Sequence, residues 1–398
     1  MWPWRTHSCV PPRYHSGMPL SRRQLLASAS LWMAGCAVRR NIVAPPAPVR
    51  LARVRVTPER VIRTIVGLRP FRPSGFVVRA EKLDQKIVVH NYGHGGAGIT
   101  LSWGTAQLAV QEAAQMETRQ AAVIGCGVVG LSTARLLQQR GYAVTIYTKA
   151  MPPDTTSNVA GGLWAPVTVY DHDSVTPEFR RQFGEAGKFA FRRYQSLVGD
   201  AYGVRWLPVY SLSRDAPNQP APPESPNSEI ASLYPDARQL APGEHCFDVP
   251  YVYRRYSMLV EPATYLNALL RDFLIAKGDL VVREFRDIRD LASLGQALLF
   301  NCTGLGSREL FQDNELIPIR GQLSFLVPQP EIDYITLGPD DIYMFPRRDG
   351  VLLGGSHERG ISDMQVDPAT TDRILRENAA VFNAMRTPIM DKEVRYGS

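Results

Sequence analysis

Ala121-Ala122-Val123-Ile124-Gly125-Cys126-Gly127-Val128-Val129-Gly130 is the stretch that decides the fold. Its first four residues are apolar, as a strand buried on both faces requires, and the rest is a GxGxxG turn. Leu131 to Arg140 then reads as a helix, with apolar residues at Leu131, Ala134 and Leu137 and a stop at Gly141. Tyr142-Ala143-Val144-Thr145-Ile146-Tyr147 reads as the next strand. Strand, glycine turn, helix and strand together make a dinucleotide-binding unit of an α/β protein. The glycines allow the tight turn and let a pyrophosphate reach the helix N-terminus, where free N–H groups and the dipole favour an anion. Gly125, Gly127, Val128, Val129 and Gly130 are therefore cofactor-binding candidates. An acid about 20 positions further on should hold the ribose hydroxyls, yet the second strand ends Tyr147-Thr148-Lys149. Either Lys149 meets the 2′-phosphate of NADP, or it points outward and the hydroxyls of Thr155-Thr156-Ser157 take the ribose. The turn alone does not separate FAD from NADP.

Working upstream, Gly67-Leu68-Arg69-Pro70-Phe71-Arg72-Pro73 is followed by an expected strand at 86–89 and then by His90-Asn91-Tyr92-Gly93-His94-Gly95-Gly96-Ala97-Gly98-Ile99-Thr100. Four glycines at 93, 95, 96 and 98 let backbone lie against a planar ligand. From Thr100 onward Leu101, Leu108, Ala109 and Ala113 are spaced as in a helix, so a second glycine loop feeds a helix N-terminus, suited to negative charge developing on a flavin ring. The prolines around Arg69 and Arg72 stiffen the backbone, and a fixed guanidinium is a bidentate partner for a carboxylate. Arg69 takes that part, whereas Arg72 is expected to face solvent. His90 and His94 are read as hydrogen-bonding loop residues, not as a metal pair.

The 398 residues suffice for about two domains. The net charge of +7 is uneven: residues 1–90 hold 16 Lys+Arg and 3 Asp+Glu, residues 91–398 hold 29 and 35. The basic excess thus lies at the front, and no Lys/Arg run with interleaved aromatics appears, which argues against a nucleic-acid surface. The five cysteines show no metal spacing and the seven histidines no HExxH, so no metal is expected. Ser21-Arg22-Arg23-Gln24-Leu25-Leu26 before a short apolar stretch resembles a Tat export signal, and Met33-Ala34-Gly35-Cys36 resembles a lipobox with Cys36 lipidated. The expected location is periplasmic or envelope-anchored; the alternative is a cytoplasmic protein with a disordered extension. Residues 37–57 read as a stiff Pro-rich tether, and Ser211 to Pro235, with Pro217, Pro220, Pro222, Pro223 and Pro226, as a surface insertion.

At this point the chain resembles the D-amino-acid oxidase family, which includes D-aspartate oxidase. The motifs are LRPFRP at 68–73, HNYGHGGAGIT at 90–100, Thr155-Thr156-Ser157, Ala160-Gly161-Gly162-Leu163-Trp164-Ala165-Pro166, Glu261-Pro262 with Tyr265, Asn301-Cys302-Thr303-Gly304, Arg320-Gly321-Gln322, and Tyr343 followed by Gly354-Gly355. The resemblance covers roughly residues 58–385 and implies a Rossmann-like FAD-binding domain with a mixed-sheet substrate domain. In the family the LRPxRP and HNYGHGG segments close the chain; here they open it, so the resemblance implies a circular permutation. The expected division is leader 1–36, linker 37–57, substrate-domain segments 58–84, 171–255 and 311–398, and FAD-domain segments 85–170 and 256–310.

Carried over residue by residue, Arg69 grips the substrate carboxylate, the Tyr343 hydroxyl assists it, and Gly96 lines flavin and substrate through its backbone. Gly95, Gly98, Ile99 and Thr100 meet the flavin, while Thr155, Thr156, Ser157, Gly162 and Leu163 complete the FAD contacts. The implied reaction is oxidation of a D-amino acid by hydride transfer to FAD, giving an imino acid that hydrolyses to a 2-oxo acid and ammonia. Molecular oxygen is the second substrate and hydrogen peroxide the second product. Three departures stand out: Lys149 for the ribose acid, Ala165 for an amide-bearing residue, and Pro339 near the place of a second tyrosine. Two other readings remain: a related amine oxidase or dehydrogenase of the glycine/sarcosine type, and a non-catalytic exported flavoprotein. The distinguishing observations are peroxide release and flavin bleaching.

Overall fold

The computed structural model describes residues 50–216 and 225–386. The chain first lays down β1 (Val61–Phe71), β2 (Val77–Leu83) and β3 (Lys86–Tyr92), then the helix α1 (Gly98–Glu112). β4 (Gln120–Ile124), α2 (Val128–Gln139) and β5 (Ala143–Thr148) form the strand–helix–strand unit read from the sequence, with α2 starting directly after Gly127. The middle of the chain adds α3 (Pro177–Gln195), β6 (Val204–Ser213), β7 (Arg238–Leu240), β8 (Tyr251–Val260) and α4 (Pro262–Ile275). Then come β9 (Asp279–Val282), β10 (Leu298–Asn301), β11 (Ile317–Leu326), β12 (Ile335–Leu337) and β13 (Tyr343–Arg347). β14 (Gly350–Gly354), β15 (Glu358–Arg359) and α5 (Pro368–Asn383) end the described chain.

The described strands build two sheets. The nucleotide sheet has the order β2-β3-β10-β4-β5-β9. Its strands from β3 to β9 run parallel, and β2 is an antiparallel edge. Parallel strands are covered on both faces, which is why β4 and β10 are buried almost throughout. The second sheet has the order β1-β11-β14-β13-β12-β6-β8-β7, with β15 on β11. It is antiparallel except where β12 meets β6. Bridges at Phe71–His94 and Leu163–Leu259 tie loops of the nucleotide half to strands of the other sheet.

α1 runs through the centre with 11 of its residues buried, as an apolar-all-round helix must. It lies so close to α3 that a Cβ on Gly104 would be 1.9 Å from the Ala186 carbonyl oxygen. Trp103 is buried beside this crossing, its indole N–H donating to the Tyr265 hydroxyl at 2.5 Å and its ring under Arg193. The partner matters, because a buried indole N–H left unpaired costs about 1–3 kcal/mol.

Several expectations are corrected. β2, inside the stretch 58–84 given to the substrate domain, belongs to the nucleotide sheet, since Asp84 turns the chain (φ 52°) and the whole of β2 pairs with β3. His90 lies in β3 and not in a loop, buried with its Nδ1 3.0 Å from the Asn301 amide. Arg72 does not face solvent: it is held by Asp313 at 2.8 Å and Glu315 at 2.5 Å. The last part of the expected tether, residues 50–57, packs instead of extending. Val54 is buried, Leu51, Ala52 and Val56 lie against the same cluster, and the Tyr334 hydroxyl donates to the Ala52 carbonyl at 2.7 Å. The twin arginine, Cys36 and the rest of 1–49, and Pro217, Pro220, Pro222 and Pro223 of the insertion, lie outside the described residues.

Candidate active site

One cavity of about 960 Å³ opens at the C-terminal ends of the parallel strands, where open α/β sheets bind their ligands. Each of those strands feeds it: Asn91 to Gly96 from β3, Ile124 to Val129 from β4, Tyr147 to Ala150 from β5, Arg283 to Arg286 from β9 and Cys302 to Gly306 from β10. Its volume lies at the upper end of ordinary small-molecule sites. Arg69, Tyr343 and Gly96 line it, as do Gly95, Gly98, Ile99, Thr100, Gly125, Gly127, Val128, Val129, Thr155, Thr156, Ser157, Gly162 and Leu163. Gly130 does not. A Cβ there would sit 2.0 Å from the Gly125 carbonyl oxygen, so this glycine lets the first turn of α2 pack on the strand end.

Two long helices present their N-termini to the cavity. α2 follows Gly127 and α1 follows Ala97, and neither cap residue supplies a side-chain acceptor. Such termini leave backbone N–H groups for an anionic ligand. Gly125 adopts φ 111°, which lets β4 turn sharply into α2. The Ser157 hydroxyl accepts from the Val128 N–H at 3.0 Å, while the Thr155 hydroxyl is spent on Asn158 at 2.8 Å. The Thr100 hydroxyl bonds the Ala165 backbone, so what α1 offers the cavity at this point is backbone. These features fit a dinucleotide: room left by glycines, free helix-terminal donors, and strand ends on both sides.

The other end is built by the second sheet. Arg69 projects from β1 across β11, and the glycine at 321 makes the space, since a Cβ there would lie 2.5 Å from Nη1 and 2.9 Å from Cζ. That Nη1 is buried and has no hydrogen-bond partner, which is costly for a charged donor unless a ligand completes it. Tyr343 stands beside it, its ring admitted by Gly354 (a Cβ would meet Cζ at 2.1 Å) and stacked on Phe345 at 4.9 Å. Burial pushes the Tyr343 hydroxyl above its usual pKa while Arg69 pulls it down; the phenol stays protonated. His357 also lines this end. Burial and the neighbouring Arg69 charge lower its pKa, so its ring is neutral near pH 7.

The sequence reading missed His357 and Asp341, which line the cavity beside Tyr343, and the Arg283 to Arg286 segment at the opposite end. It named Gly321 and Gly354 only as motif positions; their adjacency to Arg69 and Tyr343 depends on strand pairing across long sequence separations. Arg347 and Arg348, which follow Tyr343 closely in sequence, do not line the cavity. Arg347 is buried against Asp349 and the Ala160 carbonyl, and Arg348 pairs with Asp200.

Comparison with known proteins adds an independent finding. Residues 120–397 match the model of the FAD dependent oxidoreductase (DAO) family. A D-amino-acid oxidase of Rubrobacter xylanophilus is 33% identical over 275 residues, covering 67% of this chain and 78% of the relative. Human D-aspartate oxidase is 30% identical over 273 residues, covering 67% and 76%. Among solved structures, a glycine oxidase from Geobacillus kaustophilus superposes with a TM-score of 0.50 at 16% identity, over 68% of this chain and 80% of that one.

Proposed function

Because the chain belongs to the DAO family of FAD-dependent oxidoreductases, we propose that it is an oxidase of D-amino acids. FAD is its cofactor and, when bound, accepts a hydride and returns the electrons to oxygen. The α2 N-terminus and the Gly125–Gly127 turn hold the pyrophosphate, and the α1 N-terminus with Gly95 to Thr100 flanks the flavin. Arg69 and the protonated Tyr343 hold the substrate carboxylate, which fixes the face that the Cα–H presents. The released imino acid takes up water to give a 2-oxo acid and ammonia, and the two electrons taken from the substrate reduce one oxygen molecule to one peroxide. No side-chain base or nucleophile is required at Cα.

The observation that carries this reading is the buried Arg69 Nη1, unpartnered in the same cavity as two open helix N-termini. The experiment is peroxide release from a panel of D- and L-amino acids, glycine and sarcosine in air. D-isomers are expected to react and L-isomers not. Turnover confined to glycine or sarcosine would reject the D-specific assignment. The formal charges lining the Arg69 end are those of Arg69 and Asp341, and Asp341 has no ion pair or hydrogen bond among the described residues. Basic D-amino acids are therefore expected to exceed D-aspartate and D-glutamate in kcat/KM by roughly tenfold, and D341N to narrow the gap. The reverse order of preference would count against Asp341.

The permuted order belongs to the same proposal. The family match starts at residue 120, after the β1–α1 segment that delivers Arg69 and Gly95 to Thr100. Ala52 and Met385 meet at one side chain: the Tyr334 hydroxyl is 2.7 Å from the Ala52 oxygen and 3.9 Å from the Met385 sulfur. A former connection between the regions near 57 and 385 is thus sterically short. On this proposal the part of the relatives outside the match is their last part and, taken alone, should align with residues 58–119; failure of that alignment would reject the permutation.

A further inference from the structure

The adenosine end of the cavity lacks the acid that a ribose calls for at the end of the second parallel strand, where Lys149 stands. Ribose hydroxyls need an acceptor, and an ammonium has none to give. The Thr148 hydroxyl donates to the Ala150 carbonyl, at 2.5 Å. The neighbouring strand supplies a carboxylate. β9 pairs with β5 in parallel, Val282 opposite Thr148, and the Arg283 N–H donates to the Thr148 carbonyl at 2.8 Å. This register brings Glu284, which lines the cavity, alongside Lys149: Oε1 is 3.9 Å from its Nζ. Arg286 holds the other carboxylate oxygen at 2.9 Å and 3.2 Å.

We infer that Glu284 is the ribose acceptor for the adenosine of FAD, the acid having moved from the end of β5 to the end of β9, with Lys149 as its partner. The inference concerns the cofactor and stands whether or not D-amino acids are the substrates. Arg286 and Lys149 hold the Glu284 carboxyl below its usual range, so it is ionised and accepts with both oxygens. The two cations orient it and offset part of the negative charge that it adds beside the pyrophosphate. Asp154 is the other carboxylate lining the cavity near the β5 end, and it is the competitor that the test must separate.

The test removes FAD from the purified holoenzyme and measures rebinding by quenching of flavin fluorescence. Two ligands are compared: FAD and an analogue whose adenosine ribose lacks both hydroxyls. The parent protein should prefer FAD to the analogue by roughly tenfold or more, as expected for hydroxyls bonded to a charged acceptor. E284Q should weaken FAD and leave the analogue unchanged, so that the preference disappears; D154N should keep it. E284K should lose FAD, and K149E/E284K should recover much of it by restoring an acid at the β5 end. Retention of the full preference in E284Q, or its loss in D154N alone, would overturn the assignment. The isosteric E284Q keeps the test decisive even if E284K fails to fold.

Discussion

Arg69→Ala is expected to lower kcat/KM for every D-amino acid substrate by roughly a thousandfold while the protein keeps its bound FAD. A hydrogen bond to a charged group contributes about 1.5–3 kcal/mol. A misplaced substrate adds to this, because an error of about 1 Å in the reacting geometry costs on the order of a hundredfold. The structure separates this loss from cofactor binding. Arg69 rises from β1 over Gly321, among second-sheet residues, whereas the nucleotide donors come from the ends of β4 and the start of α2. Arg69→Lys should recover little, since an ammonium keeps the charge and not the planar fork. Steady-state peroxide assays with a visible-absorbance check for FAD measure both halves; an alanine variant with unchanged KM would remove Arg69 from the site.

Gly130→Ala is expected to release FAD and destabilise the fold together. The new methyl would be 2.0 Å from the Gly125 carbonyl oxygen, a backbone atom that no rotamer change can move. α2 must shift outward, taking its N-terminal N–H groups away from the cofactor. Overpacking of this kind costs about 1–3 kcal/mol, and the displaced donors weaken FAD further. Gly243→Ala is the control, since a Cβ at that glycine meets nothing within 4 Å. Thermal unfolding with and without added FAD reads both effects. A Gly130→Ala protein that melts like the parent and keeps FAD would show that this close approach is dispensable.

What was legible in the sequence was local. The β4–α2–β5 unit could be read because its apolar periods and three glycines lie within one short window. Arg69 and Gly95 to Thr100 could be read because prolines and clustered glycines mark their own backbone. What escaped depends on register between distant strands. Nothing near Glu284 in sequence reports Lys149, yet the β5–β9 pairing sets them side by side. Arg72 read as a solvated cation because Asp313 and Glu315 follow it by more than 200 residues. Leu51, Val54 and Val56 looked like linker beside the prolines before them, but the cluster they cover draws on β6–β8, β11, β13, β14 and α5.

Anaerobic mixing of the FAD-loaded protein with single D-amino acids tests the central claim most directly. Loss of the oxidised flavin's visible absorbance with D-isomers, none with the matching L-isomers, and none with the Arg69→Ala protein is the predicted result. A fully loaded flavin that no D-amino acid bleaches would contradict the account.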